Sequence, residues 1–322
     1  MKVVFLGSGP FALPSLEALA RGPASARILR VVTRPERPRG RGRKPGPTPV
    51  GARAGELGLP CDAPPSANEP EYLEALRSLE PDLLIVADYG EIMRRPLLEL
   101  PRIGPFNLHA SLLPRYRGAA PVARAILDGE RTSGVTLFRI ERKLDSGPIV
   151  DAARLEVDPL ETAGELEARL ARLASEVLEK NLPALAAGTF REIPQEEKLV
   201  TIAEKLHKDM SIIRWDVEPD KLKDFVRALN PWPLAASFLR RGEGRPERTL
   251  FLRVKPAGAA GASDLPPGSV EEVRKDGFTI RCAGGAVEVM EIQREGKAPL
   301  DAGAYLRGSR LQRGDFFGPP PA

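Results

Sequence analysis

Two polar side chains interrupt the apolar run Pro105-Phe106-Asn107-Leu108-His109, and chemistry is most readily read from them. Alternate residues of an extended strand share a face, so Asn107 and His109 point to one side and Leu108 to the other. The run is cut soon afterwards at Pro114. The pair therefore stands near the carboxyl end of a strand, where open parallel sheets bind their ligands. An amide donor beside an imidazole suits a reaction in which negative charge grows on a carbonyl oxygen. Asn107 would donate to that oxygen, and His109 would stabilise it or move a proton. A carboxylate follows in Leu144-Asp145-Ser146-Gly147, a sequence that reads as a tight turn. Alone, Asp145 is an ordinary turn residue. With Asn107 and His109 it completes a set able to pass an acyl group to an amine without a covalent nucleophile, the carboxylate orienting the imidazole and placing a proton-relaying water. The chain has 2 histidines. His207, in Glu204-Lys205-Leu206-His207-Lys208, is expected at the surface. No Cys/His cluster has the spacing of a zinc site, so no metal is expected.

Alternating elements must hold these residues. Lys2–Gly7, Ile28–Thr33 and Leu83–Ala87 are continuous apolar runs, and Phe11–Ala20 carries apolar residues at helical spacing. Val135–Ile140 and Pro148–Ala152 read as later strands, and a charged amphipathic helix is expected over 162–187. Continuous apolar strands separated by helices predict an α/β fold with a doubly wound, mostly parallel, Rossmann-like sheet over residues 1–187. The polar, aperiodic stretch 188–208 reads as a linker. Beyond it Asp220–Leu229 is helical, stopped by Asn230-Pro231-Trp232-Pro233. Close-spaced strands follow at Arg248–Lys255, Ser269–Val273, Phe278–Cys282 and Ala286–Gln293, which predicts a small OB-like β-barrel over 209–317.

Composition sets outer limits. The 322 residues suffice for two domains, and 42% hydrophobic with 29% charged residues is ordinary for a soluble protein. No apolar stretch reaches membrane-spanning length, the start lacks a signal-peptide pattern, and two distant cysteines suit a reducing compartment. A cytoplasmic monomer is expected. The formal net charge of +4 is modest, so its placement matters more than its size. Much of it falls in Thr33-Arg34-Pro35-Glu36-Arg37-Pro38-Arg39-Gly40-Arg41-Gly42-Arg43-Lys44-Pro45. This segment is too rich in Pro and Gly for a helix and long for a strand-to-helix connection. Arg37, Arg39, Arg41, Arg43 and Lys44 are candidates to meet a phosphate backbone, Arg41 first. Weaker candidates are Lys255, Arg274, Lys275, Arg294 and Lys297 in the C-terminal part.

Asn-x-His, then Ser111-Leu112-Leu113-Pro114-Arg115-Tyr116-Arg117-Gly118-Ala119-Ala120-Pro121, then Leu-Asp-x-Gly, resembles the formyltransferases that use 10-formyltetrahydrofolate. The resemblance extends over nearly the whole chain, through Asn230-Pro231-Trp232-Pro233 to Gln293 and Gly308. It implies that Asn107, His109 and Asp145 are catalytic. It implies that Ser111, Leu112, Leu113 and Pro114 bind the folate co-substrate, with Asp88, Tyr89 and Gly90 walling its ring. It also implies that the arginine-rich loop meets the acceptor stem of a methionyl-initiator tRNA, whose amino group receives the formyl group. Glycinamide ribotide or an amino-sugar nucleotide as acceptor, and hydrolysis of the carrier, are the alternatives within the same chemistry.

Two features pull elsewhere. Gly7-Ser8-Gly9-Pro10-Phe11-Ala12 fits a dinucleotide fingerprint between strand and helix, but Pro10 starts the helix and no acidic residue ends the second strand. The resemblance instead puts this turn beside the site for the aminoacyl end of the tRNA. Asp88, Glu91, Arg139 and Lys143 stand where the family prefers small or apolar residues or glycine. Ion pairs across the rim of the pterin pocket are the expectation for these four.

Overall fold

The computed structural model describes residues 1–22, 26–38, 45–241, 244–258 and 264–320. Two compact units divide the chain: Met1–Pro121, Thr132–Glu156 and Glu167–Ala203 form the first, and Val122–Arg131, Val157–Leu166 and Glu204–Ala322 the second.

In the first unit a seven-stranded sheet runs, in spatial order, Ile149–Glu156, Thr132–Arg139, Gly104–His109, Leu83–Ala87, Lys2–Gly7, Arg27–Val32 and Cys61–Asp62. The last five are mutually parallel, and Thr132–Arg139 alone is antiparallel to both of its neighbours, so the sheet is mostly parallel, as expected. Its centre is apolar on both faces. Val3, Val4, Phe5, Leu6, Leu83, Leu84 and Ile85 have no accessible surface, which is why these strands read as unbroken apolar runs. The edge strand Ile149–Glu156 instead carries Asp151, Arg154 and Glu156, charges that discourage edge-to-edge pairing. A helix spans Ala163–Ala187.

The stretch expected to be a linker does more than connect. Its residues up to Ala203 belong to the first unit. Ile193 bridges Ile149, and Ile202–Ala203 pairs in parallel with Arg117–Gly118. Its polarity reflects side chains spent on hydrogen bonds to that unit, described below.

The second unit is an antiparallel sheet in the order Val270–Val273, Phe278–Cys282, Gly285–Arg294, Glu247–Ala257, Ala235–Arg240 and Phe316–Gly318. A bridge between Ser269 and Phe316 brings its two ends together, giving the barrel character expected. Trp215 fills the interior, edge-on to Phe251 at 5.3 Å between centroids, with its indole N–H donating to Ser237 Oγ at 3.1 Å. The strand Ala235–Arg240 follows the Asn-Pro-Trp-Pro segment closely, and its residues carry no polar–apolar alternation that would announce it.

Candidate active site

The strand Gly104–His109 pairs with Leu83–Ala87 on one side and Thr132–Arg139 on the other, so its register is fixed from both flanks. Asn107 and His109 share a face of it, as expected. Among the described residues the Asn107 side-chain amide has no hydrogen-bond partner, although the residue is half-buried. It is not among the fully buried unsatisfied groups, so solvent reaches this amide and a ligand can too.

His109 is buried. Its Nε2 lies 2.8 Å from the carbonyl of Tyr116, which can only accept, so Nε2 carries a proton. This assigns the tautomer. Nδ1 then faces Asp145 Oδ2 at 3.8 Å, the two side chains being 7% and 12% exposed. That is ion-pair range but too long for a hydrogen bond. The expectation that Asp145 orients the imidazole is thus modified: Tyr116 orients it, and Asp145 supplies charge beside its free nitrogen. The carboxylate itself is anchored by Gly118 N–H, which donates to Oδ2 at 2.9 Å.

The Asp145 turn has a demanding shape. Asp145 adopts φ +46°, a left-handed state that Asp tolerates better than most residues. Gly147 is required beside it, because a Cβ there would stand 1.9 Å from the Arg139 carbonyl. Lys143 has no positive φ, so the glycine preferred by the family at that position is not needed here.

Two residues that sequence reasoning left without a role hold this turn. Gln195 Nε2 donates to the carbonyls of Asp145 (2.9 Å) and Gly147 (2.7 Å). Its Oε1 accepts from Arg117 Nε (3.0 Å) and Nη2 (2.8 Å). Arg117, 1% exposed, also meets Glu197 at 3.0 Å. One side-chain amide therefore ties the Ser-Leu-Leu-Pro strand end to the Asp145 turn. Arg117 lay inside the motif that carried the resemblance. Gln195 sat in an aperiodic polar stretch and gave no signal. His207 is exposed, leaving His109 as the buried histidine.

Ser111–Pro114 forms a rigid corner. Ser111 Oγ donates to the Arg115 carbonyl (2.7 Å), Leu113 N–H donates to Thr136 Oγ1 (3.1 Å), and Thr136 Oγ1 donates to the Ser111 carbonyl (2.7 Å). The Leu113–Pro114 peptide is cis. Asp88-Tyr89-Gly90 follows the strand Leu83–Ala87 at its carboxyl end, with Tyr89 buried and Asp88 and Gly90 exposed. Ile92 and Leu144 are exposed apolar side chains on the two loops that flank this end of the sheet.

The four departures do not pair with one another as expected. Glu91 pairs with Arg34 at 2.5 Å, Arg139 with Glu192, and Lys143 with Glu197 at 3.0 Å. Arg139 also stacks on Phe106 at 4.9 Å and Phe190 at 5.5 Å, which gives the planar guanidinium two aromatic faces. Among the described residues the Asp88 carboxylate has neither ion pair nor hydrogen bond. Desolvation raises its pKa to about 6. The residue still has an open surface, a combination that fits a group lining a cleft. Glu167 is pushed to about 7, by burial first and then by the Asp88 charge.

Asp88 also decides the glycine-rich turn. Its carbonyl accepts from Ser8 N–H (2.9 Å) and Gly9 N–H (3.3 Å), and its carboxylate lies where a Cβ on Gly9 would be, at 1.7 Å. The turn's amides are occupied and a carboxylate covers it, so a pyrophosphate has no seat there. Gly7 is needed for close packing, since a Cβ would meet Ala12 Cβ at 2.9 Å and Ala87 O at 3.0 Å.

Of the basic segment, Arg37–Pro38 pairs antiparallel with Pro45–Gly46. Arg39, Arg41, Arg43 and Lys44 lie outside the described residues, as does the Arg37 side chain. On the second unit, Lys255, Arg274 and Arg294 are already paired with Glu288, Glu272 and Glu247. Among the described residues Lys275 and Lys297 have no ion pair. The described residues include no group of three or more His, Cys, Asp or Glu placed to hold a metal. None of their helices is long and apolar enough to cross a membrane. Both cysteines are unpaired.

Comparison with known proteins gives the family. The formyl transferase family matches residues 1–182, and the formyl transferase C-terminal domain matches 205–310. A methionyl-tRNA formyltransferase from Methylococcus capsulatus is 43% identical over 97% of this chain and 98% of its own. One from Moorella thermoacetica is 39% identical over 99% of both. Among solved structures, an N-formyltransferase from Helicobacter canadensis in complex with folinic acid and dTDP-3-aminofucose superposes with TM-score 0.64 at 17% identity, over 91% of this chain and 99% of that one.

Proposed function

Because this chain belongs to the formyl transferase family, we propose that it transfers the formyl group of 10-formyltetrahydrofolate to the amino group of methionyl-tRNA. The observation that carries the chemistry is the placement of His109, held by the Tyr116 carbonyl with Nδ1 toward Asp145, on the same face as the unpartnered amide of Asn107. The choice of acceptor rests on full-length similarity to methionyl-tRNA formyltransferases.

In this reading Asn107 donates to the formyl oxygen as the amine attacks the formyl carbon, and the free Nδ1 of His109 accepts the proton the amine gives up. The new carbon–nitrogen bond forms, the bond to the carrier nitrogen breaks, and the amine's proton ends on that nitrogen. Asp145 and the free Nδ1 of His109 bound the proton's route. Positioning and oxyanion stabilisation supply the rate enhancement. Asp88, Tyr89 and Gly90, with Ser111–Pro114, surround the co-substrate, and the exposed Ile92 and Leu144 offer apolar surface to a planar ring. Arg37, Arg39, Arg41, Arg43 and Lys44 are assigned to the acceptor stem on charge. Lys275 and Lys297 of the second unit are candidates for a separate, weaker contact with the tRNA.

The test is formyl transfer from 10-formyltetrahydrofolate to methionyl-tRNA, run beside glycinamide ribotide and an amino-sugar nucleotide. Product on the tRNA alone is expected. Faster transfer to either small acceptor, or release of formate without an acceptor, would reassign the function.

A further inference from the structure

Two peptide planes flank Tyr116, and every polar group on them has a partner. On the first plane the Arg115 carbonyl accepts from Ser111 Oγ (2.7 Å), and Tyr116 N–H donates to Thr201 Oγ1 (2.8 Å). On the second the Tyr116 carbonyl faces His109 Nε2 (2.8 Å), and Arg117 N–H donates to the Thr201 carbonyl (3.0 Å). Thr201 therefore holds both planes, one with its hydroxyl and one with its carbonyl. Tyr116 needs the hold. Its φ of +61° is a left-handed state that a bulky residue rarely takes and that persists only where the surroundings over-determine it. The residues after Thr201 continue the contact. Ile202–Ala203 runs parallel to Arg117–Gly118, and the Ala203 carbonyl accepts from Ala119 N–H (2.9 Å). The approach is so close that a Cβ on Gly118 would stand 2.6 Å from that carbonyl.

The Tyr116 carbonyl decides where the imidazole proton sits. The Asp145 carboxylate, 3.8 Å from Nδ1, attracts a proton to that nitrogen. The Tyr116 carbonyl can be met only by a proton on Nε2. The carbonyl is within hydrogen-bond range and the carboxylate is not, so Nε2 keeps the proton and Nδ1 stays free. A carbonyl turned away from the ring would reverse that balance, put the proton on Nδ1 and remove the base.

We propose that Thr201 is a positioning residue for His109. It holds the peptides on either side of Tyr116, and the Tyr116 carbonyl holds the imidazole as the Nε2–H tautomer with Nδ1 free. Its part in the transfer rests on the function proposed above; its hold on the tautomer does not. Thr201 lies in the polar stretch expected to be a linker, is exposed, and acts through Tyr116.

The experiment records nitrogen-15 correlations of the imidazoles in wild type, Thr201→Val, Thr201→Ala and Thr201→Ser at about pH 8, where an ordinary imidazole is neutral. It is paired with kcat and KM for formyl transfer to methionyl-tRNA. The chain has 2 histidines and His207 is exposed, so His109 is assigned by difference against His207→Gln. Wild type should show Nε2–H alone. In Thr201→Val a methyl fills the place of the hydroxyl and keeps water from replacing it. This variant should shift His109 toward Nδ1–H and lower kcat about tenfold, with both KM values within about twofold of wild type. Thr201→Ser should restore both readouts. Near-ultraviolet circular dichroism confirms that each variant is folded. Thr201→Ala should shift the tautomer in the same direction and keeps the test decisive if Thr201→Val is not folded. Nδ1–H in wild type, an unchanged tautomer in both Thr201→Val and Thr201→Ala, or a Thr201→Ser as impaired as Thr201→Val overturns the proposal. So does an unaltered kcat beside a shifted tautomer. If wild type formylates no methionyl-tRNA yet shows the tautomer and its shift, it is the underlying function that fails.

Discussion

Asp88 and Asp145 share a backbone state and little else. Both lie in the first unit with left-handed φ, +44° and +46°. Asp145 is fixed at every group: its carboxylate by Gly118 N–H, its carbonyl by Gln195, and a buried imidazole 3.8 Å away. The Asp88 carbonyl is equally busy, receiving Ser8 and Gly9, but its carboxylate meets no donor among the described residues. A strained turn therefore does not by itself mark a functional carboxylate. What marks it is the set of groups that hold the oxygen atoms. Asp145 is a positioned charge. Asp88 is a protonatable wall, its pKa raised to about 6 by desolvation although the residue keeps open surface.

The comparison breaks most visibly through substitution of the fixed member. His109→Ala and Asp145→Asn should each lower kcat by about 10²–10⁴-fold, with the Kd of methionyl-tRNA unchanged. Single-turnover rates and filter binding separate the two. Asp88→Asn under the same assay should change kcat by less than about threefold; a loss as large as that of Asp145→Asn would erase the distinction.

Gln195→Ala probes whether the hold on the turn matters. Asp145 and Gly147 lose two donated hydrogen bonds, and Arg117 loses the acceptor of two more. A drop of about 10–100-fold in kcat, with little change in either KM, is expected for a carboxylate displaced by a fraction of an ångström. Gln195→Glu keeps the acceptor for Arg117 but removes the donors, so it should behave like the alanine variant. Activity close to wild type in Gln195→Glu would show that the turn holds itself.

A smaller effect follows from the protonation of Asp88. Its folded pKa of about 6 lies above the ordinary value near ~3.9, so the folded state holds the proton more tightly than the unfolded one. That contribution to stability is present at low pH and is lost as pH rises through the folded value. Asp88→Asn should therefore raise the melting temperature at pH 8 relative to wild type, with the gain shrinking toward pH 4. Glu167, raised to about 7 partly by Asp88, should titrate lower in that variant. An unchanged melting difference across pH would contradict the desolvated reading of Asp88. Smallest of all, Lys143→Ala should leave both kcat and melting temperature unaltered within measurement, because its partner Glu197 is a solvent-exposed carboxylate.

How much of this was legible follows from where each residue sits. Asn107 and His109 could be placed because a two-residue period on a strand fixes a face. The sheet could be read because doubly buried strands are continuous apolar runs. Asp145 was legible as a turn carboxylate, but not its partner: Gly118 N–H is a backbone donor and leaves no trace in composition. Gln195 was hidden for a different reason. Its role depends on a polar stretch lying back across the first unit, and aperiodic polarity looks the same whether it is solvated or spent on long-range hydrogen bonds. The expected rim pairs among Asp88, Glu91, Arg139 and Lys143 failed because each cation had a nearer partner, Glu192 for Arg139 and Glu197 for Lys143, that sequence separation concealed.

The central claim is that this site passes a formyl group to the amino group of methionyl-tRNA. The most direct measurement follows formyl transfer from 10-formyltetrahydrofolate to methionyl-tRNA by wild type and by Asp145→Asn, with uncharged tRNA and free methionine as controls. Formylmethionyl-tRNA from wild type, little or none from the variant and none from either control is the predicted result. Formylation of free methionine at a comparable rate, or an undiminished rate in Asp145→Asn, would contradict it.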